Sequence, residues 1–533
     1  MENFSYDQVP YFGYPFAQTH PDRLATIASL LGLQPAPVHR CRVLELGCGD
    51  GGNLIPIALQ FPESQFVGID LAAEAIARGV AAVKQFDLHN LDLRQGDLLE
   101  VGEDLGEFDY IIAHGVYTWV PPAVKDRILS LSRDHLAANG VAYVSYNTYP
   151  GYHIRQITRE MMLFHTRDMH EPQEKIQQGL SLLKFLLQKY PTPEESRQDL
   201  YGALLNEQLD LLLSHRHNEQ IFHDDLAAIN TPVYFYQFAR HAAQFGLQFL
   251  AEADFHETQY HTFQPKVREM LDQFGDEHVL LREQYLDFLK CRMFRQTLLC
   301  KQGVQIDRNL QASEIGNYLI SCVAEALQEK PDLRPGVIAD FGGQKNARIS
   351  TDFPLAKAAL LDLHDAHPRR LSFDALVQSA RQRLERDAVE NQYEPVEIDD
   401  EDVQVFQEII FAAYLSGLVK LHTFQPALTT TISDKPEVFP LARWQAAQGN
   451  VVTNIIHQSI EMEDDISVYL IQLLDGTRTR AEILDALTAF AVEHGLQTEE
   501  EQDITEESLI RSLIDRRLEA RLQQLIKSGL MVA

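Results

Sequence analysis

The chain has 533 residues, enough for about three or four domains with well-buried cores. Seventy-seven acidic residues against 46 basic ones give a formal charge of −31. That balance excludes extended contact with nucleic-acid phosphates, keeps a large protein soluble, and admits a basic partner or a cationic substrate. No run of about eighteen apolar residues occurs, so no membrane span is expected. The five cysteines, Cys41, Cys48, Cys291, Cys300 and Cys322, form no C-x-x-C pair and read as free thiols of a reducing compartment, which places the protein in the cytoplasm. Met1–Ser5 shows no basic segment leading into an apolar one, so no secretory signal is expected.

In chain order, Tyr11–Phe16 is aromatic and turn-rich, and Gln18–Leu24 leads into a helix from about Pro21 to Leu31 with the proline in its first turn. This helix either covers a ligand or packs, and His20 before it is counted among the ligand contacts. Val43–Leu46 then reads as a buried strand, Gly47-Cys48-Gly49-Asp50-Gly51-Gly52-Asn53 as a glycine turn opening a helix, and Val67–Asp70 as a second strand ending in an acid. Gly47, Gly49 and Gly52 also meet the G-x-G-x-x-G spacing of dinucleotide enzymes. Glu45 decides between the two: a pyrophosphate at a helix N-terminus gains nothing from a carboxylate beside it, whereas the ammonium of S-adenosylmethionine does. Asp70 suits ribose hydroxyls, Asp97 at the end of a third strand suits the adenine amino group, and Phe108–His114 is a fourth strand. The expected cofactor contacts are therefore Glu45, Gly47, Cys48, Gly49, Asn53, Asp70, Leu71, Asp97, Leu98 and His114, together with His20. Cys48 needs only to be small enough for the turn, and His114 is either a cofactor contact or a hydrogen-bonded structural group.

Gly140–Ser145 is a fifth strand, and strands alternating with helices from Cys41 to about Tyr146 predict a parallel sheet covered on both faces. The aromatic and polar turn Tyr146–Tyr152 follows at the carboxyl end of that strand, where open α/β sheets place ligands. The acceptor is expected there, among Tyr117, Trp119, Tyr146, Asn147 and Tyr149. These groups are aromatic and amide rather than acidic, which suits an amine: desolvation disfavours its ammonium form, and a touching carboxylate would favour it. Core packing is the competing role for each ring. Helical periodicity from 153 to about 225, broken by Pro172, Pro191 and Pro193, reads as an insertion. The sheet is then completed by a helix at Pro232–Phe245 and strands at Gly246–Ala251 and Gln296–Lys301.

His20–Tyr152, Phe222–Ala227, Ala251–Phe255, Glu283–Leu289 and, further on, Leu473–Arg478 resemble the bacterial class I methyltransferases that carry a methyltransferase regulatory domain, a group that includes rickettsial protein lysine methyltransferases. The resemblance covers roughly the first 300 residues. It implies methyl transfer from S-adenosylmethionine, with lysine as one acceptor, and a regulatory domain at about 215–300.

Residues 306–350 read as a connector. Leu355–Leu363, a turn at His367-Pro368 and Ser372–Leu384 have a winged-helix rhythm, with Leu418–His422 as a wing. Glu394–Asp402 reads as an acidic linker, and Asp465–Leu474, Arg480–Phe490 and Ile504–Ile526 as a second helical module. In so acidic a chain these modules are assigned to protein docking or self-association as a homo-oligomer rather than to DNA. His215, His217 and His223 with Asp224 and Asp225 match no metal-ligand spacing, so no metal is expected and an aspartate there is assigned to helix capping.

The expectation is thus an α/β protein: a Rossmann-like class I methyltransferase core (1–152), a helical insertion (153–225), a regulatory domain completing the sheet (215–305), a connector with a winged-helix-like module (306–430) and a second such module (431–533). Its expected function is S-adenosylmethionine-dependent methylation of a protein, with lysine as acceptor. The alternatives are a small-molecule substrate, or a cofactor-binding scaffold without turnover. No nucleic-acid partner is expected.

Overall fold

The computed structural model describes residues 9, 13–214, 218–275, 277–343, 347–494, 496–497, 503–504 and 506–532. The chain divides into two compact units. One comprises residues 1–13 and 27–308, the other residues 14–26 and 309–533.

The first unit is built on a seven-stranded sheet. Its strands are β1 (Arg42–Leu46), β2 (Gln65–Asp70), β3 (Leu91–Gln95), β4 (Phe108–Ala113), β5 (Leu136–Asn147), β6 (Leu247–Glu252) and β7 (Phe294–Lys301), in the order β3-β2-β1-β4-β5-β7-β6. β1 to β5 are parallel, and β7 runs antiparallel to both β5 and β6. Val43, Leu44 and Leu46 of β1 are wholly buried, the near-continuous apolar run of a strand covered on both faces. The strand order reverses between β1 and β4, the point at which such sheets open a crevice at their carboxyl ends. Helices α1 (Leu54–Gln60), α2 (Ala73–Gln85) and α3 (Pro122–His135) connect the parallel strands, and Pro122 begins the last of them, where a missing N–H costs nothing.

After β5 come α4 (Tyr152–His165), α5 (Pro172–Leu187) and α6 (Leu200–Ser214), whose buried Met162, Ile176, Leu183, Leu205 and Leu209 form a separate core. α7 (Phe235–Gln244) then packs Phe238 and Ala242 into the main core below β5, and β6 and β7 finish the sheet with α8 (Pro265–Asp272) and α9 (Val279–Lys290) between them. The helix and two strands expected to complete the sheet are therefore present.

In the second unit, β8 (Leu319–Cys322) is flanked by β12 (Leu371–Ser372) and β13 (Val419–His422), while β9 (Glu325–Ala326), β10 (Ala339–Gly342) and β11 (Arg348–Thr351) form another antiparallel sheet. Residues 306–350 are thus not a plain connector. Strands of two to four residues are too short to show a period, which is why the sequence hides them. The wing expected at Leu418–His422 is the paired strand β13. The acidic stretch ends as a helix start: Asp399 caps Asp400–Leu415 by accepting from the Asp402 N–H, and Asp402 returns the bond. Lys357, fully buried, gives its three ammonium protons to the carbonyls of Asp332, Arg334 and Val337, each at 2.8 Å.

Candidate active site

The turn after β1 is held open by glycine. Gly47, Gly49 and Gly51 all have φ between +56° and +77°, a region that side chains with a Cβ rarely adopt. The space where a Gly49 side chain would stand is clear to 4 Å. Cys48 points inward instead and packs on Gly68 of β2, so its size answers to a backbone contact, and burial pushes its thiol well up. Asp70 closes the far side: one carboxylate oxygen accepts from the Gly49 N–H and the other from the Ala72 N–H, each at 2.8 Å. Burial raises its pKa. Asp50 accepts from the Gly13 and Gly52 N–H groups, tying the segment at Gly13 across the turn.

Glu45 lies on β1 directly before the turn, 3% exposed. Asn53 donates to its Oε1 at 2.8 Å, and its Oε2 is buried with no hydrogen-bond partner among the described residues. Burial pushes the carboxyl up to about 8, opposed by the Asn53 bond and supported by the neighbouring Asp70 and Asp50. Along the next two strands, Leu71 (44% exposed) follows Asp70, and Asp97 accepts from the Leu99 N–H at 2.9 Å. The exposed apolar side chain after Asp97 is Leu99, at 49%. Leu98, expected at the cofactor, is turned into the core.

At the end of β5, alternation decides which groups face the crevice. Tyr143, Ser145 and Asn147 share one face. His114 Nδ1 lies 2.9 Å from the Tyr143 hydroxyl and 3.3 Å from Ser145 Oγ, which in turn accepts from the Gly115 N–H at 2.8 Å. Burial lowers His114 to about 4, so it is neutral near pH 7. Asn147 donates to Asn230 Oδ1 at 3.2 Å, and Asn230 donates to the Tyr152 hydroxyl. Phe294, first residue of β7 and register partner of Asn147, stands 37% exposed and edge-on to His114.

Tyr146 lies on the opposite face of β5. It is 1% exposed, stacked on Phe238 at 4.1 Å and bonded to Thr297 Oγ1. Tyr117 is buried beside it, edge-on to Phe238, with its hydroxyl 2.7 Å from His241 Nδ1. Both therefore act as core rings, not as acceptor groups, and the β-strand period of two already separates Tyr146 from Asn147. Trp119 and Tyr149 are half-buried. Tyr149 donates to Gln156 Oε1 and stacks on His153 with centroids 3.9 Å apart. His20 belongs to the second unit, where it stacks on Phe424, and burial lowers it to about 4. Of the histidine–aspartate group, His223 lies 2.7 Å from the Val9 carbonyl, and Asp225 accepts from Arg155 inside a π-helical turn instead of capping a helix. His215 and His217, like Tyr11 and Phe12, fall outside the described residues.

The family model of a methyltransferase domain matches residues 44–142, that of a predicted methyltransferase regulatory domain 217–301, and that of the PKMT C-terminal winged helix domain 434–530. Uncharacterized protein RP789 of Rickettsia prowazekii is 31% identical over 541 residues, covering 99% of this chain and 93% of that one. The chain belongs to the bacterial class I methyltransferases with a regulatory domain. A second R. prowazekii protein, RP028, is 38% identical over 45% of this chain and 93% of its own. The structure of PKMT2 from Rickettsia typhi in complex with AdoHcy matches with a TM-score of 0.84 at 28% identity, covering 98% of this chain and 100% of that one. S-adenosylmethionine is the cofactor of this methyltransferase.

Its residues fit that cofactor. The buried Glu45 Oε2 offers an acceptor for an ammonium, and the clear space at Gly49 admits close approach to the backbone. Asp70 keeps lone pairs beyond its two backbone bonds for hydroxyl donors. Asp50, Leu99, Phe294 and Gly13 stand beside these groups without having been legible in the sequence as their neighbours. For Leu99 the signal is the acid-capped turn beginning at Asp97, and for Phe294 the register of the closing strand.

Proposed function

We propose that the enzyme methylates the side-chain amine of lysine in a protein, with Glu45, Asn53, Asp70, Leu71, Asp97, Leu99 and the Gly47–Gly49 backbone holding the cofactor. The observation that carries this reading is the make-up of the crevice at the end of β5. Asn147, Phe294, Trp119 and Tyr149 offer amide and aromatic surface, and the last three reach solvent. Aromatic surface open to solvent suits a protein chain better than a small molecule. The likeness to PKMT2 over nearly the whole chain points the same way, PKMT being a protein lysine methyltransferase.

Bound S-adenosylmethionine supplies an electrophilic methyl group on a sulfonium. The chain's own task is to present a lysine with a free lone pair. A lysine of pKa near 10.4 must lose a proton at a cost of about 4 kcal/mol near pH 7, and a desolvating aromatic wall lowers that cost. Asn147 Oδ1 has no protein donor among the described residues, so it can accept one N–H of the amine and orient the remaining lone pair. His114, neutral and braced by Tyr143 and Ser145, adds no positive charge to compete with the amine. The five free thiols and the acidic surface agree with a cytoplasmic enzyme whose partner is basic. The domain limits set out above, with the 431–533 module assigned to docking, are part of the same reading. His20 is not, since its ring is buried against Phe424 and His457.

The test is incubation with radiolabelled cofactor and cell protein, followed by acid hydrolysis. Label recovered as N-methylated lysine is expected. Label confined to acid-soluble small molecules sinks the lysine reading.

A further inference from the structure

Helix α9 buries a mostly polar face, in which Leu286 is the apolar member. Its polar residues Glu283, Gln284 and Asp287 are buried at 0 to 4% exposure against Arg292 and Arg295, while Leu281, Tyr285, Phe288 and Leu289 face solvent. A surface helix ordinarily turns its apolar stripe to the core. Here the charged cluster holds the stripe outward.

The exposed stripe does not end at the helix. Phe288 (48% exposed) meets Tyr234 at 6.3 Å and Tyr285 at 5.8 Å, and Tyr285 meets Phe274 at 5.1 Å. In the other direction Tyr234 reaches Tyr149 at 5.4 Å, on the turn that follows Asn147. The rings thus form an unbroken surface track from the crevice at the end of β5, across the start of α7, to the far side of α9. Contiguous exposed apolar surface of this kind marks a binding site, and tyrosine and phenylalanine are the residues enriched in such sites.

We propose that this track is the docking surface for the polypeptide substrate: an extended, lysine-bearing segment with apolar side chains that seat on α9 while the lysine enters beside Asn147. The proposal rests on the lysine reading above and deepens it. Two features favour this occupant over a second copy of the chain. The track is continuous with the acceptor turn, so a chain lying along it delivers a side chain to the crevice. The protein also carries 31 more acidic than basic residues, which attracts a basic segment and repels a copy of itself.

The test uses the full-length enzyme and two synthetic peptides of equal length with one central lysine, one flanked by leucine and phenylalanine, the other by serine and glycine. Both carry a fluorophore for anisotropy and are assayed for methyl incorporation. The apolar-flanked peptide is expected to bind at least tenfold more tightly and to be methylated with a correspondingly lower KM. The double variant Tyr285→Ser/Phe288→Ser is expected to erase that difference, leaving turnover of the serine-flanked peptide unchanged. A second variant, Tyr285→Phe, keeps the ring and should keep the preference. Equal binding of the two peptides, or binding indifferent to the double substitution, overturns the docking surface. Binding that tracks the surface without any methylation upholds the docking and overturns the lysine reading instead. A dimer by sedimentation that the double variant dissociates, with peptide binding intact, assigns the face to a second copy and overturns the proposal.

Discussion

Between β6, β7 and α9, Arg295 is wholly buried and every one of its nitrogens is bonded: Nε to Asp287, Nη1 to Glu252 at 2.6 Å, Nη2 to the carbonyl and carboxylate of Glu283. At the mouth of the glycine turn Glu45 is almost as deeply buried, yet one of its oxygens has no donor among the described residues. The first site closes on itself and fixes a helix to a sheet. The second leaves an acceptor open, as the proposed contact with a cationic group requires. Buried charge alone therefore says little about function, and the balance of its partners says much.

The sharpest way to break this contrast is Arg295→Met. It leaves the buried Glu283 and Asp287 with Arg292 as their cation and Glu252 with the Gln296 N–H and the Thr297 hydroxyl, so a loss of about 3 to 5 kcal/mol of stability is expected, read as a lower denaturation midpoint in urea. A loss below about 1 kcal/mol would show that the cluster is not the clamp described here.

Glu45 makes the opposite prediction. Its folded pKa, about 8, is above its unfolded value, so its contribution to stability is full below about pH 4.5 and is lost as pH rises toward 8. Glu45→Gln should flatten this fall, raising the stability of the cofactor-free enzyme above pH 8 by a few kcal/mol, on the order expected for such a shift. The same residue should couple binding to protons. At pH 7 cofactor binding should release up to one proton, seen as a calorimetric heat that depends on the buffer, and Glu45→Gln should abolish the release.

A smaller effect is expected at Asp70, which anchors Gly49 and is proposed to accept from the cofactor's hydroxyls. Asp70→Ala should weaken S-adenosylmethionine by about 1.5 to 3 kcal/mol, roughly ten- to a hundredfold in calorimetric titration. Smallest is Leu99→Ser, where loss of an exposed apolar contact should cost about 1 kcal/mol of cofactor affinity, several-fold in Kd. If Leu99→Ser does nothing and Leu98→Ala alone weakens binding without unfolding the chain, the placement of the adenine edge is wrong.

What the sequence made legible follows from how local each signal is. The glycine turn, Glu45 and Asp70 are set by φ angles and charges within a few residues, and the structure forms the turn where the sequence puts it, with both acids beside it. So does the sheet, because its strands carry continuous apolar runs and the interrupted ending could be counted. The acceptor side was harder. Tyr117 and Tyr146 look like site residues in a list of aromatics, but the parity of β5 sends Tyr146 toward Phe238 and leaves Asn147 facing the crevice. Phe294 and Tyr234 arrive from far along the chain, through a register that no short window contains. The exposed apolar face of α9 was hidden for a related reason: apart from Leu286 its buried side is polar, and the position of Arg295 on β7 explains why.

The strand order also governs how the chain is made. Asn147 pairs with Phe294, so on the ribosome β1 to β5 emerge first as a half-sheet whose outer edge stays bare until the closing strand appears. The helical insertion fills that interval, and the long-range pairing must wait for it, a topology that slows folding and leaves an adhesive edge in the meantime. A transcript truncated before Phe294 should thus yield aggregate rather than a smaller enzyme, which makes the so-called regulatory segment a condition for the fold's existence before it is anything else.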